Sequence, residues 1–232
     1  MADTTSYFEA RGISPSFYAD YKLPAYMLGP LGDNKGIEIL DFGCGYGQNI
    51  AAIKKLGFSN IRGYDVEPAA IDFCQKNNIN IIDGRIKSVE NIEQRYDLII
   101  ATHVLEHIPK NEIINTLRNL RHLLNDGGIV FISVPNAQSH TGCYWMFEDF
   151  THQTLFTAGS LIYVLKQAGF GDLQLHDRDC LVGGSIWKNS IRKFFLSIYR
   201  ENNLFWNKIT ASSYHNPSPI VNSYEIKMIA EK

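Results

Sequence analysis

An acid stands immediately ahead of a run of alternating glycines in Asp41-Phe42-Gly43-Cys44-Gly45-Tyr46-Gly47. Glycines at that spacing let a backbone turn tightly and approach a ligand closely. Gln48 stands where a dinucleotide fingerprint places its last glycine. Asp41 would also repel a pyrophosphate, which seeks a bare helix N-terminus, so the turn suits a ligand with an ammonium group better. A second acid, Asp65, is followed by Val66. An acid there can accept hydrogen bonds from both hydroxyls of a ribose. A third, Asp83, precedes Gly84 and could accept from an adenine amino group, with Gly84 giving close approach. The alternative for Asp83 is a turn acid, since Asp-Gly is a common turn pair.

Four histidines could handle a proton near neutral pH: His103, His107, His140 and His152. Two of them lie in Thr102-His103-Val104-Leu105-Glu106-His107, a segment expected to floor the ligand site. Its order is H-x-x-E-H and not the H-E-x-x-H of a zinc protease helix, so no metal is expected there. Glu106 and His107 are adjacent, and on a helical turn they would point about 100° apart. They are not expected to face one ligand together.

The polar and aromatic run Phe147-Glu148-Asp149-Phe150-Thr151-His152-Gln153-Thr154-Leu155-Phe156-Thr157 is the most unusual in the chain. Asp149 and His152 are three apart, close enough for the carboxylate to orient the imidazole or raise its pKa. His152 is read as a general base for an acceptor hydroxyl, Asp149 as its helper and His107 as a further catalytic candidate. In the alternative, Asp149 caps a turn and His152 packs under the next helix. A divalent cation at Asp149 and His152, acidifying the hydroxyl, is a rival role that the spacing does not favour.

These residues need a scaffold, and strand and helix signals alternate from residue 37 to about 178. Residues 36–41, 60–65, 79–82, 96–101 and 129–134 read as strands. Helices are expected over 48–56, 68–76, 111–124 and 158–168, with Gly57 and Gly169 as stops and Pro68 in a first turn. Asp126-Gly127-Gly128 reads as a turn before the fifth strand, and residues 173–176 and 223–230 supply two more strands. Strands separated by helices imply right-handed crossovers and a mostly parallel sheet covered on both faces. The fold class is α/β, doubly wound. Ligands in such sheets bind at the carboxyl ends of the strands, where every candidate above falls.

The chain of 232 residues can bury one sizeable core. Its net charge of -2 offers no footprint for nucleic acid. No stretch approaches the roughly 18 apolar residues of a membrane helix. Residues 1–11 lack the pattern of a signal peptide. Cys44, Cys74, Cys143 and Cys180 are scattered without metal-ligand spacing, as expected for reduced thiols in the cytoplasm.

Taken in order, several motifs resemble the class I S-adenosylmethionine-dependent methyltransferases. They are Leu40-Asp41-Phe42-Gly43-Cys44-Gly45-Tyr46-Gly47, Gly63-Tyr64-Asp65, Tyr96-Asp97-Leu98-Ile99-Ile100, Val104-Leu105-Glu106-His107-Ile108 and Gly127-Gly128. The resemblance covers residues 36–178. It implies a Rossmann-like sheet of seven strands with the last antiparallel. It implies S-adenosyl-L-methionine as cofactor and S-adenosyl-L-homocysteine as product. Gly43 and Gly45 would line the methionine portion and Asp65 would hold the ribose, with Tyr46, Val66, Thr102 and His103 around them. The Asp-x-x-His-x-x-x-Phe-Thr stretch at 149–157 is similar to those of methyltransferases associated with bacterial surface sugars. That implies O-methylation of a small hydroxyl-bearing acceptor such as a sugar or sugar nucleotide. Methylation of a nitrogen or a quinone-like metabolite is the alternative, and a non-catalytic cofactor-binding partner is the alternative of another class.

Residues 1–35 carry Tyr7, Phe8, Phe17, Tyr18, Tyr21 and Tyr26 and read either as a helical lid over the cofactor or as cover for the sheet. Residues 36–232 form the methyltransferase domain, with acceptor-site insertions at 135–156 and 179–222. In the second insertion Ile186, Trp187, Ile191, Phe194, Phe195 and Ile198 form a stripe opposite Lys188, Arg192, Lys193 and Arg200. Packing on the domain or on a second copy in a homodimer is the first reading of that stripe. An acceptor cap and a membrane-surface contact are the others.

Overall fold

The computed structural model describes residues 6–212 and 218–232, so residues 1–5 of the expected lid and 213–217 of the second insertion lie outside it. Seven strands form one sheet: β1 (Ile39–Phe42), β2 (Ile61–Asp65), β3 (Ile81–Asp83), β4 (Tyr96–Thr102), β5 (Leu124–Pro135), β6 (Leu173–His176) and β7 (Glu225–Glu231). Their order is β3-β2-β1-β4-β5-β7-β6. The pairs from β3 to β5 are parallel, and β7 runs antiparallel to both neighbours. The chain reverses direction across the sheet beside β1 and β4. That switch point is where an open α/β sheet leaves a crevice.

The helices are α1 (Tyr7–Ala10), α2 (Leu28–Leu31), α3 (Gln48–Lys55), α4 (Pro68–Lys76), α5 (Ile113–Leu123), α6 (Gly142–Glu148), α7 (Ala158–Gln167) and α8 (Ile186–Ile209). Local chemistry sets their ends. Pro68 occupies the first turn of α4, where its missing N–H costs nothing. Thr157 and Ser160 form a reciprocal capping box on α7. In α5 the buried side chains are Ile113, Leu117, Leu120 and Leu123, one helical stripe laid on the sheet.

Two apolar layers sandwich the sheet. On one face Leu40, Phe42, Ile99, Ala101 and Ile132 pack with the stripes of α5 and α7. On the other, Ile39, Ile61, Leu98, Ile100 and Phe131 pack with α3 and with Met27 and Leu31. Strands buried on both faces read as continuous apolar runs, which is why β1, β4 and β5 were legible.

Two expectations need correction, and one segment gains an element. The turn at 126–128 is not a break: β5 runs through it as one strand, with Gly127 at φ 75° and a register shift against Tyr96 and Leu98. Gly128 fits there because a Cβ would lie 2.9 Å from the carbonyl of Asn125. The segment after β5 contains α6, which the sequence reading left unassigned. Most consequentially, of the two surfaces expected to meet the stripe on α8, its own domain does not. Ile186 is 85% exposed, Trp187 82% and Phe194 62%, and no residue of α8 is buried. Among the described residues no helix is long and apolar enough to cross a membrane.

Candidate active site

The turn between β1 and α3 takes its shape from three glycines at positive φ: Gly43 at 75°, Gly45 at 53° and Gly47 at 76°. Side chains rarely adopt that region. A Cβ on Gly43 would also collide with Cγ2 of Val104, so the turn is pressed against the segment after β4. Asp65, at the end of β2, clamps the turn. Its Oδ2 accepts from the Gly45 N–H at 2.7 Å, and its Oδ1 accepts from the N–H groups of Val66 and Glu67 at 2.8 and 2.9 Å.

Asp41 lies beneath the turn and is 1% exposed. Its Oδ1 accepts from Nδ2 of Asn49 at 3.3 Å, while Oδ2 has no partner. Burial pushes its carboxyl up to about 7, against the opposing bond from Asn49. A buried carboxylate in this state gains most from a cationic ligand. Asn49 is itself held: its Oδ1 accepts from the Tyr21 hydroxyl at 2.6 Å, and its Nδ2 lies 3.5 Å from Oγ1 of Thr102.

The N-terminal segment covers this turn. Phe8 lies 4.5 Å from Tyr46 between ring centroids, and Tyr46 also meets Phe73 at 5.2 Å. Further along, Tyr26, Met27 and Leu31 join the core under the sheet. Among the described residues of this segment, one part thus lies over the turn and another packs under the sheet. Tyr7, next to Phe8, turns the other way. Its hydroxyl donates to Oδ2 of Asp149 at 2.7 Å, and its ring lies 5.8 Å from His107.

A second cluster sits beside the turn. A single 3-10 turn, Leu105–His107, follows β4. The segment after β5 is stitched to it: N–H groups of Gln153 and Thr154 donate to the Glu106 carbonyl at 2.8 and 3.2 Å, and Gln153 Nε2 donates to the His107 carbonyl at 3.1 Å. This brings one carboxylate oxygen of Glu106 and one ring nitrogen each of His107 and His152 within 4.8 Å of one another. The imidazole tautomers follow from their partners. His152 Nδ1 lies 2.7 Å from the Trp145 carbonyl, which can only accept, so Nδ1 carries the proton. The Thr151 hydroxyl donates to Oδ1 of Asp149 at 2.6 Å, so its oxygen accepts from His107 Nδ1 at 2.8 Å. Both rings therefore keep a lone pair on Nε2. Burial also holds His107 below the usual imidazole range.

Asp149 is the hub of this half of the site. Its Oδ2 accepts from Tyr7 and Arg11, and its Oδ1 from the Thr151 N–H and hydroxyl. Burial works against its charge, but these donors outweigh that and bring its carboxyl down to about 2.

A family model described as a methyltransferase domain matches residues 16–175. The chain belongs to this methyltransferase family. Its fold is that of a S-adenosylmethionine-dependent methyltransferase from Archaeoglobus fulgidus, with a TM-score of 0.67, 19% identity and coverage of 97% of this chain and 98% of the other. A magnesium protoporphyrin IX methyltransferase from Synechocystis with bound S-adenosylhomocysteine has the same fold at a TM-score of 0.54 and 13% identity, over 90% of this chain and 80% of the other. Among curated relatives, a ubiquinone biosynthesis O-methyltransferase of Coxiella burnetii is 32% identical over 108 residues, 44% of this chain and 45% of the relative. A ribosomal protein L11 methyltransferase of Thermosipho africanus is 28% identical over 102 residues, 42% of this chain and 37% of the relative. The chain thus spans less than half the length of the curated relatives it matches.

Of the residues that the methyltransferase resemblance assigned to a cofactor, Asp41, Gly43, Gly45, Tyr46, Asp65 and Thr102 gather at the turn, with Val66 beside it and 59% exposed. Asp83 does not stand free for an adenine. Arg85 holds it through Nε at 2.9 Å and Nη2 at 2.6 Å, which keeps its carboxyl below the usual range, the contact that the turn-acid alternative requires. Gly84 is small because a Cβ would lie 2.7 Å from the Tyr64 ring and 2.8 Å from the Asp65 carbonyl; the close approach is internal. His103 is committed elsewhere. At φ 55° it bridges Glu106 at 3.2 Å and Glu225 at 2.8 Å. Desolvation of the ring nitrogens favours the neutral form, but the carboxylates of Glu106 and Glu225 outweigh it and raise the imidazole to about 10. Both its ring nitrogens are engaged by carboxylates.

The expected pairing of Asp149 with His152 is absent as a hydrogen bond: the closest approach is 3.8 Å. The Trp145 carbonyl orients the ring instead. Glu106 and His107, expected to diverge, converge because the 3-10 turn ends at once in extended backbone at Ile108. The sequence reading gave no role to Arg11, Asn49, Thr151 or Glu225. A charged residue inside the apolar run Val104-Leu105-Glu106 was the available signal for a buried functional acid.

Proposed function

We propose that this chain is a S-adenosyl-L-methionine-dependent O-methyltransferase acting on a small hydroxyl-bearing acceptor and releasing S-adenosyl-L-homocysteine. One juxtaposition carries the reading: a buried, half-partnered Asp41 under a positive-φ glycine turn, beside two imidazoles with Nε2 lone pairs. Asp41 answers the ammonium of the cofactor, Gly43 and Gly45 admit its amino-acid end, and Asp65 faces the ribose. The cofactor supplies the activated methyl carbon. The protein aligns the acceptor and provides for loss of its proton, which happens at His107 and His152.

Residues 6–21 act as a lid, with Phe8 over the cofactor turn and Tyr7 over the histidines. Closure of such a segment excludes water during transfer. Exposed Phe147 and Phe150 offer ring faces to the acceptor, as the rings of a sugar or an aromatic metabolite would use. The O-methyltransferase among the curated relatives supports oxygen as the methylated atom.

The test is S-adenosylhomocysteine release by purified protein against a panel of sugars, sugar nucleotides and catechols. His152→Ala should lower turnover by about 10²–10⁴-fold, the range for a lost acid–base group, while cofactor affinity stays within a factor of two or so. Unchanged turnover in that variant overturns the reading.

A further inference from the structure

We infer that Glu106, His107 and His152 form a binding site for one first-row divalent cation. The ligand set is two imidazoles and one carboxylate, whose donor atoms already lie within 4.8 Å of one another. Glu106 is fully buried, and its Oε2 has no hydrogen-bond partner. An orphaned carboxylate oxygen at zero exposure is costly unless something cationic meets it. Its other oxygen is occupied by His103, so Oε2 alone is left to bind.

The groups that would orient the two imidazoles are also in place. Ring orientation in metal-binding histidines is fixed by a bond from the other ring nitrogen to a carbonyl or a carboxylate-linked group. His152 Nδ1 has the Trp145 carbonyl, and His107 Nδ1 has Thr151, which is bonded in turn to Asp149. These bonds use Nδ1 of each ring and leave Nε2 as the lone pair available to a metal. Bond lengths of about 2.0–2.2 Å place neighbouring ligand atoms roughly 3 Å apart. A cation therefore needs only a modest contraction of this triangle. Two nitrogens and one oxygen with open positions select zinc, manganese, cobalt or iron over magnesium or calcium.

The inference deepens the proposed function and rests on it for its role. The open positions would take the acceptor hydroxyl and a second oxygen beside it, so vicinal diols and catechols are the favoured class. With the cation bound, the two imidazoles serve deprotonation through the metal and not as bases: the cation acidifies the hydroxyl, whose proton leaves to solvent. Then the oxygen–carbon bond forms, the sulfur–carbon bond breaks, and sulfur keeps the electron pair as the thioether product.

Cobalt(II) is a suitable probe, titrated into tag-free, chelator-treated protein and read by its visible absorption. The expected result is saturation at one Co²⁺ per chain, reversed by Zn²⁺. His152→Ala and His107→Ala should each weaken binding by more than the roughly 10–100-fold that loss of an outer partner costs. His122→Ala, on the exposed face of α5, should bind as wild type. No saturable signal from wild-type protein overturns the site, and this holds even if a variant fails to fold. Equal binding by wild type and a folded His152→Ala overturns it too. Calorimetry with S-adenosylhomocysteine on the same metal-free sample separates the two proposals. If S-adenosylhomocysteine binds and Co²⁺ does not, the cation site alone falls; if Co²⁺ binds and S-adenosylhomocysteine does not, the methyl-transfer reading falls.

Discussion

Asp41 makes the affinity for cofactor depend on pH in a direction that the structure fixes. In the free protein burial raises its carboxyl to about 7, so below that pH it is mostly protonated. An ammonium group beside it requires the carboxylate. Binding below pH 7 must therefore expel a proton, and affinity must rise with pH and then level off. Each unit below the free-protein value weakens binding about tenfold, or about 1.4 kcal/mol. From pH 7 to pH 5 the loss is roughly 50-fold, provided that the bound carboxylate titrates lower still. Calorimetry with S-adenosylhomocysteine in buffers of different ionisation enthalpy reads this directly. Release should be about 0.9 proton at pH 6 and about 0.1 at pH 8. Asp41→Asn should flatten the profile and weaken binding at pH 7.5 by about 1.5–3 kcal/mol, the worth of a hydrogen bond to a charged group. Affinity that stays level from pH 5.5 to 7.5, with heats independent of buffer, would refute the assignment of Asp41 to the ammonium.

Two other perturbations test the packing of the site. Gly43→Ala puts a side chain at φ 75° and against Val104. It should cost roughly 1–2 kcal/mol for the backbone and about 1–3 for the overpacking, read as a lower urea midpoint with weaker cofactor binding; a stability within about 0.5 kcal/mol of wild type would contradict that. Asp149→Asn weakens the bonds from Tyr7 and Arg11 that hold the N-terminal segment. Hydrogen exchange at residues 7–13 should speed up about tenfold or more while the core amides of β4 hardly change, and unaltered exchange there would count against Asp149 as the anchor.

The scaffold was legible in the sequence because its signals are local. Fully buried parallel strands announce themselves as apolar runs, and a strand leading into Asp41-Phe42-Gly43-Cys44-Gly45 has few other uses. The site was only half legible, because its second half is made by contacts distant in sequence. His103 meets Glu225 only because β7 lies antiparallel on β5, pairing Pro135 with Glu225. Asp149 meets Tyr7 across the whole domain. Asp83 looked free because its partner, Arg85, is a neighbour that sequence reading does not weigh as a competitor for a ligand. The convergence of Glu106 with His107 depends on a 3-10 turn of three residues, shorter than any periodicity can reveal. On α8 the stripe was read correctly as amphipathic, but periodicity does not say whether the apolar side meets anything.

A crystal structure of the protein soaked or grown with S-adenosylhomocysteine tests the central claim most directly. The ligand's amino group is expected at Oδ2 of Asp41, its ribose at Asp65, its sulfur on the side of His107 and His152, and Phe8 displaced or closed over it. Ligand bound away from the turn at residues 41–47, or a turn left empty at saturating concentration, would contradict it.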